Sequence, residues 1–177
     1  MRSFCHYTSE DCFLRPRSTA DFQAFYAQHG ATVYRFCLRL CGSASDAEDL
    51  TQEVFLAAFQ GQSRFQGRSS VQTWLYKIAL NCWRHSCRSP RPVTSVLEDS
   101  RQAGPSLEQS VTESMALTCA LSALPPDLRE AFLLVRAEGL KYKEAAAVLG
   151  VPLGTVQWRV HEASQRLRIL LMEDAQD

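Results

Sequence analysis

Apolar residues recur every three or four positions along most of the chain, a spacing typical of amphipathic helices. Three such runs lie in the first half, over residues 21–40, 45–60 and 70–87. Gly42 and Gly61 follow the first two runs and predict where those helices end. Ser45 and Glu48 form a capping box, which predicts the start of the second helix. No stretch predicts a β-strand.

Helical spacing is lost over residues 89–114, which contain three prolines and few apolar side chains and are therefore predicted to be a linker. The spacing resumes near Thr112, and Asp127 is the predicted N-cap of the next helix. A short helix over 142–149, a turn and a long helix over 153–172 follow. The pattern predicts an all-α protein of two small helical domains joined by a flexible linker. Its predicted divisions are a flexible N-terminal arm over 1–18, domains over 19–90 and 115–172, and a linker over 91–114.

The composition is that of a soluble globular protein, since 46% of the 177 residues are hydrophobic and 21% are charged. No apolar run approaches the roughly 18 residues that a membrane span needs, and the N-terminus lacks the apolar segment of a signal peptide. These features predict a cytoplasmic protein without membrane insertion. Nineteen Lys and Arg balance nineteen Asp and Glu, so the net charge favours no class of partner.

The charges are nevertheless segregated along the chain. Residues 43–60 hold four carboxylates and no Lys or Arg, whereas residues 64–91 hold six Lys or Arg and no carboxylate. Residues 139–171 hold five cations and two carboxylates. A basic segment in each domain beside an acidic helix predicts two nucleic-acid contacts and one contact with a basic protein surface. Solvated helix faces are the simpler alternative for any single cluster.

The third helix places cations beside aromatic side chains. With 100° between successive residues, one face carries Lys77, Asn81, Arg84 and Arg88. The predicted buried face is formed by Val71, Trp74, Leu75, Ile78 and Cys82. Gln72, Tyr76 and Trp83 share a third side, which is predicted to be exposed. Cations next to exposed aromatic rings suit single-stranded nucleic acid, because phosphates pair with the cations and unstacked bases lie on the rings.

Residues 141–168 have the proportions of a helix-turn-helix. Ala146 and Gly150 are small where the two helices would pack closely. The predicted apolar seam consists of Leu149, Val156, Val160, Ala163, Leu167 and Leu170. The second helix would then present to the DNA major groove Thr155, Gln157, Trp158, Arg159, His161 and Glu162. Lys141 or Lys143 would contact phosphates. A helical hairpin that binds no DNA is the alternative.

Seven cysteines raise the question of a metal or redox site. Cys5, His6 and Cys12 are close enough in sequence for a metal clip, and Cys37 and Cys41 lie one helical turn apart. However, a cytosolic location disfavours disulfides, and a free cysteine commonly behaves as a small buried hydrophobe. No metal and no cofactor is therefore predicted, and the first three residues are only a weak metal candidate.

Three segments share motifs with a known family: DAEDLTQEVFLAAF, RFQGRSSVQTWLYKIALNCWR, and the stretch from SALPPDLRE to HEASQRLR. Together they resemble a bacterial sigma factor of the extracytoplasmic-function (ECF, group IV) class, the two-domain branch of the sigma-70 family. In order, they are similar to region 2.2, regions 2.3 and 2.4, and region 4. The resemblance implies a non-enzymatic factor that binds core RNA polymerase, directs it to promoters and promotes transcription initiation. It also implies control by an anti-sigma factor in response to stress.

The resemblance assigns a role to each segment. Region 2.2 would bind core polymerase, through its β′ subunit, with Asp46, Asp49, Leu50, Gln52, Glu53 and Phe55. Regions 2.3 and 2.4 would open the −10 element and hold a flipped base, with Arg64, Gln66, Gly67, Arg68, Ser69, Ser70, Trp74, Lys77, Asn81 and Arg84. Region 4 would read the −35 element, with Lys143, Thr155, Gln157, Trp158, Arg159, His161, Glu162 and Arg166. The β subunit is a further implied polymerase partner.

The recognition helix departs from the family pattern. The family usually reads close to GTVKSRLHRARRRLR, whereas this chain reads GTVQWRVHEASQRLR. Gln157 and Trp158 replace a Lys-Ser pair, and Glu162 replaces a common Arg. Since each lost phosphate contact lowers DNA affinity, we expect an unusual −35 preference and weak DNA binding without polymerase.

Three other interpretations stay open at this stage. A stand-alone helix-turn-helix repressor or activator would explain residues 139–171 but would give the acidic helix and the aromatic–basic helix no role. A metal- or redox-sensing regulator would use the cysteines. An enzyme has the least support, because the sequence contains no P-loop, GxSxG or HExxH motif. The sequence does not determine how the two domains are placed, and a closed arrangement of the free protein also stays open.

Overall fold

The computed structural model describes residues 19–62, 65–88 and 117–173. Its helices are α1 (Thr19–Cys41), α2 (Ala44–Gly61), α3 (Val71–Arg88), α4 (117–123), α5 (Pro126–Phe132), α6 (Tyr142–Leu149) and α7 (Leu153–Glu173). The described ranges contain no β-strand, which confirms the predicted all-α class. Among the helices described here, none combines the length and the hydropathy of a membrane span. The predicted arm, with Cys5, His6 and Cys12, and the predicted linker lie outside the described residues. The same holds for Arg64, one of the predicted −10 contacts.

Two helix starts differ from the sequence prediction. Ser43, and not Ser45, caps α2, since its Oγ accepts a hydrogen bond from the backbone N–H of Asp46 at 3.4 Å. Pro125 replaces the predicted Asp127 as the N-cap of α5, because a second proline occupies the first helical position, where no amide hydrogen is needed. The start of α3 is as predicted, and the Ser70 Oγ there accepts from the backbone N–H of residue 73 at 3.1 Å.

Helices α1, α2 and α3 pack into an N-terminal unit whose core contains Phe36, Leu40, Val54, Leu75 and Tyr76. The prediction for the faces of α3 is confirmed for Leu75, which is fully buried, but is wrong for several other positions. Tyr76 and Trp83 are 0% and 6% exposed, whereas the predicted core positions Val71, Trp74, Ile78 and Cys82 are only partly buried. The reason is that Glu138 contacts Tyr76 and Arg129 contacts Trp83, and a burial pattern set by distant parts of the chain is not encoded in local periodicity.

Helices α4 to α7 form a C-terminal unit, in which α6 and α7 are the predicted helix-turn-helix. The apolar seam is confirmed for Leu149, Val156, Val160, Ala163 and Leu167, which are buried, whereas Leu170 is only partly buried. Gly150 ends α6 with a φ of 70°, a left-handed conformation that costs glycine little. A Cβ added at Gly150 would meet no atom within 4 Å, so this glycine serves backbone geometry and not the close helix packing that we expected.

A π-helical turn over Leu133–Ala137 continues α5. The extra residue in this turn shifts the buried positions, so that Leu133 and Leu134 are fully buried while Phe132 and Val135 only pack at the edge of the core. The turn also brings the carboxylate of Glu138 to the N-terminal unit.

The two units pack against each other in the closed arrangement that the sequence left open. Their buried side chains form one hydrophobic cluster. Arg129 of α5 reaches the end of α1, where its Nη1 donates a 2.6 Å hydrogen bond to the carbonyl oxygen of Leu40. Its guanidinium also lies 5.6 Å from the ring centroid of Trp83. A cation is favourable at a helix C-terminus and over an indole ring, although burial lowers the pKa of Arg129.

Candidate polymerase and nucleic-acid interfaces

Helix α2 presents an acidic surface formed by the exposed residues Asp46, Asp49, Gln52 and Glu53. Two other predicted polymerase contacts do not belong to this surface. Leu50 and Phe55 are only 4% and 2% exposed and pack in the core of the N-terminal unit. Because their side chains pack beneath α2, Leu50 and Phe55 are removed from the predicted polymerase contacts.

Sequence reasoning missed two apolar members of this surface. Leu56 and Phe59 are 58% and 46% exposed. At 100° per residue they share a side of α2 with Asp49 and Gln52, so that carboxylate, amide and apolar groups form one stripe. Large exposed apolar side chains bordered by polar groups are typical of a protein-binding surface. The spacing 49, 52, 56 and 59 is visible in the sequence and is the signal that could have identified them.

Five of the predicted −10 contacts are exposed in the loop between α2 and α3: Gln66, Gly67, Arg68, Ser69 and Ser70. Gly67 has a φ of 67°, and no atom lies within 4 Å of the position of a Cβ there, so the loop backbone is accessible. Phe65, at the start of the described part of this loop, packs on the partly buried ring of Trp74 with a centroid distance of 5.0 Å. This aromatic pair therefore joins the loop to α3.

The polar face of α3 is divided by the closed arrangement. Lys77 and Asn81, one turn apart, are exposed. Arg84, one turn further, is partly buried because its Nε donates to Oε1 of Glu130 at 2.8 Å and its Nη2 donates to Oε2 of the same carboxylate. The structure thus brings the first two predicted residues together and directs the third towards α5.

Helix α7 exposes Gln157, Trp158 and His161 on one side, with the indole of Trp158 58% exposed. Lys143 of α6 is also exposed. Thr155, Arg159 and Glu162 are partly buried, whereas Arg166 is exposed.

Arg159 and Glu162 are both held by ion pairs. The side chain of Arg159 is 18% exposed and its Nη2 lies 3.2 Å from Oδ2 of Asp127. Glu162 accepts from Nε of Arg166 at 2.8 Å. The residues available to a ligand are therefore fewer than those predicted.

The described part of the chain contains the free thiols of Cys37, Cys41, Cys82, Cys87 and Cys119. Burial raises the pKa of Cys37 to about 11 and that of Cys41 to about 12. A reactive thiolate needs the opposite shift. Within the same ranges, no three His, Cys, Asp or Glu side chains come together in a group that could hold a metal ion.

Both units match models of known protein families. The family model Sigma-70 region 2 matches residues 25–91, and the family model Sigma-70, region 4 matches residues 114–167. The chain is 37% identical over 158 residues to the ECF RNA polymerase sigma factor SigE of Mycolicibacterium smegmatis, across 85% of this chain and 61% of that protein. It is 36% identical over 145 residues to the ECF RNA polymerase sigma factor EcfG of Rhodopseudomonas palustris, across 78% of each chain.

Two solved structures share the arrangement of helices. One is the sigma factor RpoE in complex with the anti-sigma factor NepR from Bartonella quintana, with a TM-score of 0.71, 28% identity, and coverage of 87% of this chain and 98% of that one. The other is CnrH in complex with the cytosolic domain of CnrY, with a TM-score of 0.68, 25% identity, and coverage of 89% and 92%. The chain therefore belongs to the sigma-70 family, within its ECF class of RNA polymerase sigma factors, as its motifs predict.

Proposed function

We propose that this protein is an ECF-type sigma factor that acts in the cytoplasm, binds core RNA polymerase, directs it to promoters with −10 and −35 elements and promotes initiation. The observation that carries this proposal is the presence of three separate exposed surfaces in the order of sigma-70 regions 2 and 4. They lie on α2, on α3 with its preceding loop, and on α7. A stand-alone helix-turn-helix regulator would use only the third. We retain the division into domains over 19–90 and 115–172.

The α2 surface would bind the polymerase. Its exposed carboxylates, Asp46, Asp49 and Glu53, complement a basic partner surface and would guide association. Leu56 and Phe59 would supply the apolar area that is removed from water on binding, which is the larger source of affinity in most interfaces.

The loop over 65–70 and the exposed face of α3 would bind the −10 element. Lys77 would pair with a phosphate, and Asn81 beside it would hydrogen-bond to the displaced strand. The accessible backbone around Gly67 would form the wall of a site for an unstacked base, close to the rings of Phe65 and Trp74.

The exposed side of α7 would read the −35 element. Gln157 can pair with adenine, and the indole of Trp158 can contact thymine methyl groups in the major groove. Arg159 would chiefly hold α7 against α5 through Asp127. This set contains fewer cations than the family pattern, so the interface would depend on the polymerase for affinity.

An inhibitory partner is part of the proposal. The RpoE structure matches 87% of this chain, and it is a complex with an anti-sigma factor. We propose that a protein of that kind controls this chain in response to stress.

The polymerase assignment can be tested by measuring the affinity of the full chain for purified core polymerase. Asp49→Lys reverses a charge and Leu56→Ser removes an exposed apolar group, and each should weaken binding about tenfold. The control is Gln28→Lys, at an exposed position on α1, which should leave the affinity unchanged. Equal affinities for the chain and both α2 variants would contradict the assignment.

A further inference from the structure

Two buried carboxylates of the C-terminal unit hold cations and a hydroxyl of the N-terminal unit. Glu130, whose side chain is 3% exposed, accepts two hydrogen bonds from Arg84. Glu138, whose side chain is 7% exposed, accepts from Nη1 of Arg39 at 2.9 Å and from the hydroxyl of Tyr76. These contacts determine which part of α3 remains accessible.

The Arg84 pair is the contact with a consequence for binding. Arg84 lies on the same helical face as Lys77 and Asn81, which are exposed and proposed to contact the −10 strand. The carboxylate of Glu130 accepts two parallel N–H···O bonds from the guanidinium, the same geometry with which arginine binds a phosphate. One guanidinium edge cannot satisfy both partners, so Glu130 and a DNA phosphate compete for it.

The seam between the units is also incompletely packed near this pair. A cleft of about 350 Å³ lies between Trp83, Ser86 and Cys87 on one side and Pro126 and Arg129 on the other. Separation of the units there would return polar groups to water, where each can be satisfied. The polar pairs therefore favour the closed arrangement without making it irreversible.

From these contacts we infer that the closed arrangement is an autoinhibited state, in which Glu130 occupies Arg84 and opening of the seam releases this arginine to DNA. The inference rests on the proposed −10 role of α3. It places part of the inhibition within the chain itself, before any inhibitory partner binds.

The first experiment compares the full chain with its Glu130→Gln variant, which keeps the shape of the side chain and removes its charge. Binding to a fluorescein-labelled 20-nucleotide single strand of random sequence should become about tenfold tighter if about a tenth of the wild-type molecules are open. The radius of gyration measured by X-ray scattering should also increase. Glu144→Gln makes the same charge change at an exposed position of α6 and should alter neither quantity.

A charge exchange between Glu130 and Arg84 distinguishes opening of the seam from misfolding of a variant. Glu130→Arg alone should expand the chain, because it faces Arg84 with a like charge, whereas Arg84→Glu combined with Glu130→Arg should restore the compact radius. If Glu130→Gln keeps its helical circular dichroism and changes neither radius nor affinity, the autoinhibition is refuted. A larger radius without a gain in DNA affinity refutes it as well.

Lys77→Ala in the Glu130→Gln background separates this inference from the proposed function. If Lys77→Ala weakens DNA binding while Glu130→Gln leaves the radius unchanged, the −10 assignment stands and the autoinhibition fails. If Glu130→Gln expands the chain and Lys77→Ala leaves DNA binding unchanged, the −10 assignment of α3 fails, and the inference fails with it.

Discussion

Arg129 donates a 2.6 Å hydrogen bond to the carbonyl oxygen of Leu40 and so joins α5 to the last turn of α1. The same guanidinium donates to the carbonyl oxygens of Ser122 and Leu124, the second at 3.1 Å. A single buried side chain thus satisfies backbone acceptors in both units. Because these acceptors are remote from each other in sequence, Arg129 links the stability of one unit to that of the other.

Replacement of Arg129 should therefore destabilise the whole chain. Arg129→Ala leaves buried carbonyl oxygens without donors and removes the cation from the ring of Trp83. We expect a loss of about 2–4 kcal/mol in the free energy of unfolding, measured with urea. Arg136→Ala removes an exposed arginine of the same unit and should change it by less than about 0.5 kcal/mol. A loss equal to that of the control would contradict this role.

Two glycines of the helix-turn-helix should respond in opposite ways to alanine. Gly150 has a φ of 70° and open space around it, so Gly150→Ala should cost about 1–2 kcal/mol through backbone strain alone. Gly154 lies in α7 with equally open space, and Gly154→Ala should be neutral or stabilising by up to about 1 kcal/mol. Thermal unfolding of the two variants checks the difference, and equal effects would exclude strain as the cause.

Replacement of an exposed residue on the DNA-facing side of α7 should weaken DNA binding without lowering the stability of the protein. Trp158 is 58% exposed, so Trp158→Ala should change the free energy of unfolding by less than about 0.5 kcal/mol. It should nevertheless weaken binding of the polymerase complex to a selected −35 element about tenfold. Ile169→Ala, at a position of the same helix that is 57% exposed, is the control and should leave binding intact. Equal binding by both variants would remove Trp158 from the interface.

Cysteine reactivity should follow burial. Burial raises the pKa of Cys37 to about 11 and that of Cys41 to about 12, so at pH 8 only about one molecule in a thousand carries a Cys37 thiolate. Iodoacetamide should therefore modify the exposed Cys119 before Cys37 and Cys41, as measured by peptide mass spectrometry. Modification of Cys37 in native protein at a rate similar to that of Cys119 would contradict the packing of α1.

The same shifts set a pH dependence of stability. Each folded-state pKa lies above the unfolded value of about 9, so the unfolded chain releases these protons first as the pH rises. The contribution of Cys37 and Cys41 is fully present below pH 9 and is lost as the pH approaches 11 to 12. Cys37→Ala should reduce this alkaline loss in urea unfolding, and an unchanged pH profile would contradict it.

Local pattern was sufficient for the existence of the helices and of the helix-turn-helix, because glycine turns and three-to-four spacing are set by neighbours in sequence. It nevertheless selected the wrong N-cap for α2 and for α5. It was insufficient wherever the two units meet. Tyr76 and Trp83 were placed on an exposed side because nothing near them indicates that Glu138 and Arg129 cover them. Arg84 was assigned to DNA without its partner, Glu130, which lies 46 residues further along the chain.

The central claim is tested most directly by run-off transcription with purified bacterial core polymerase on a library of randomised promoters, with and without this protein. The account predicts transcripts that depend on the protein and whose promoters share two motifs at a fixed spacing. It also predicts more transcript with the Glu130→Gln variant. If neither the wild-type chain nor this variant yields such transcripts, although both are folded and the core is active, the assignment as a sigma factor is contradicted.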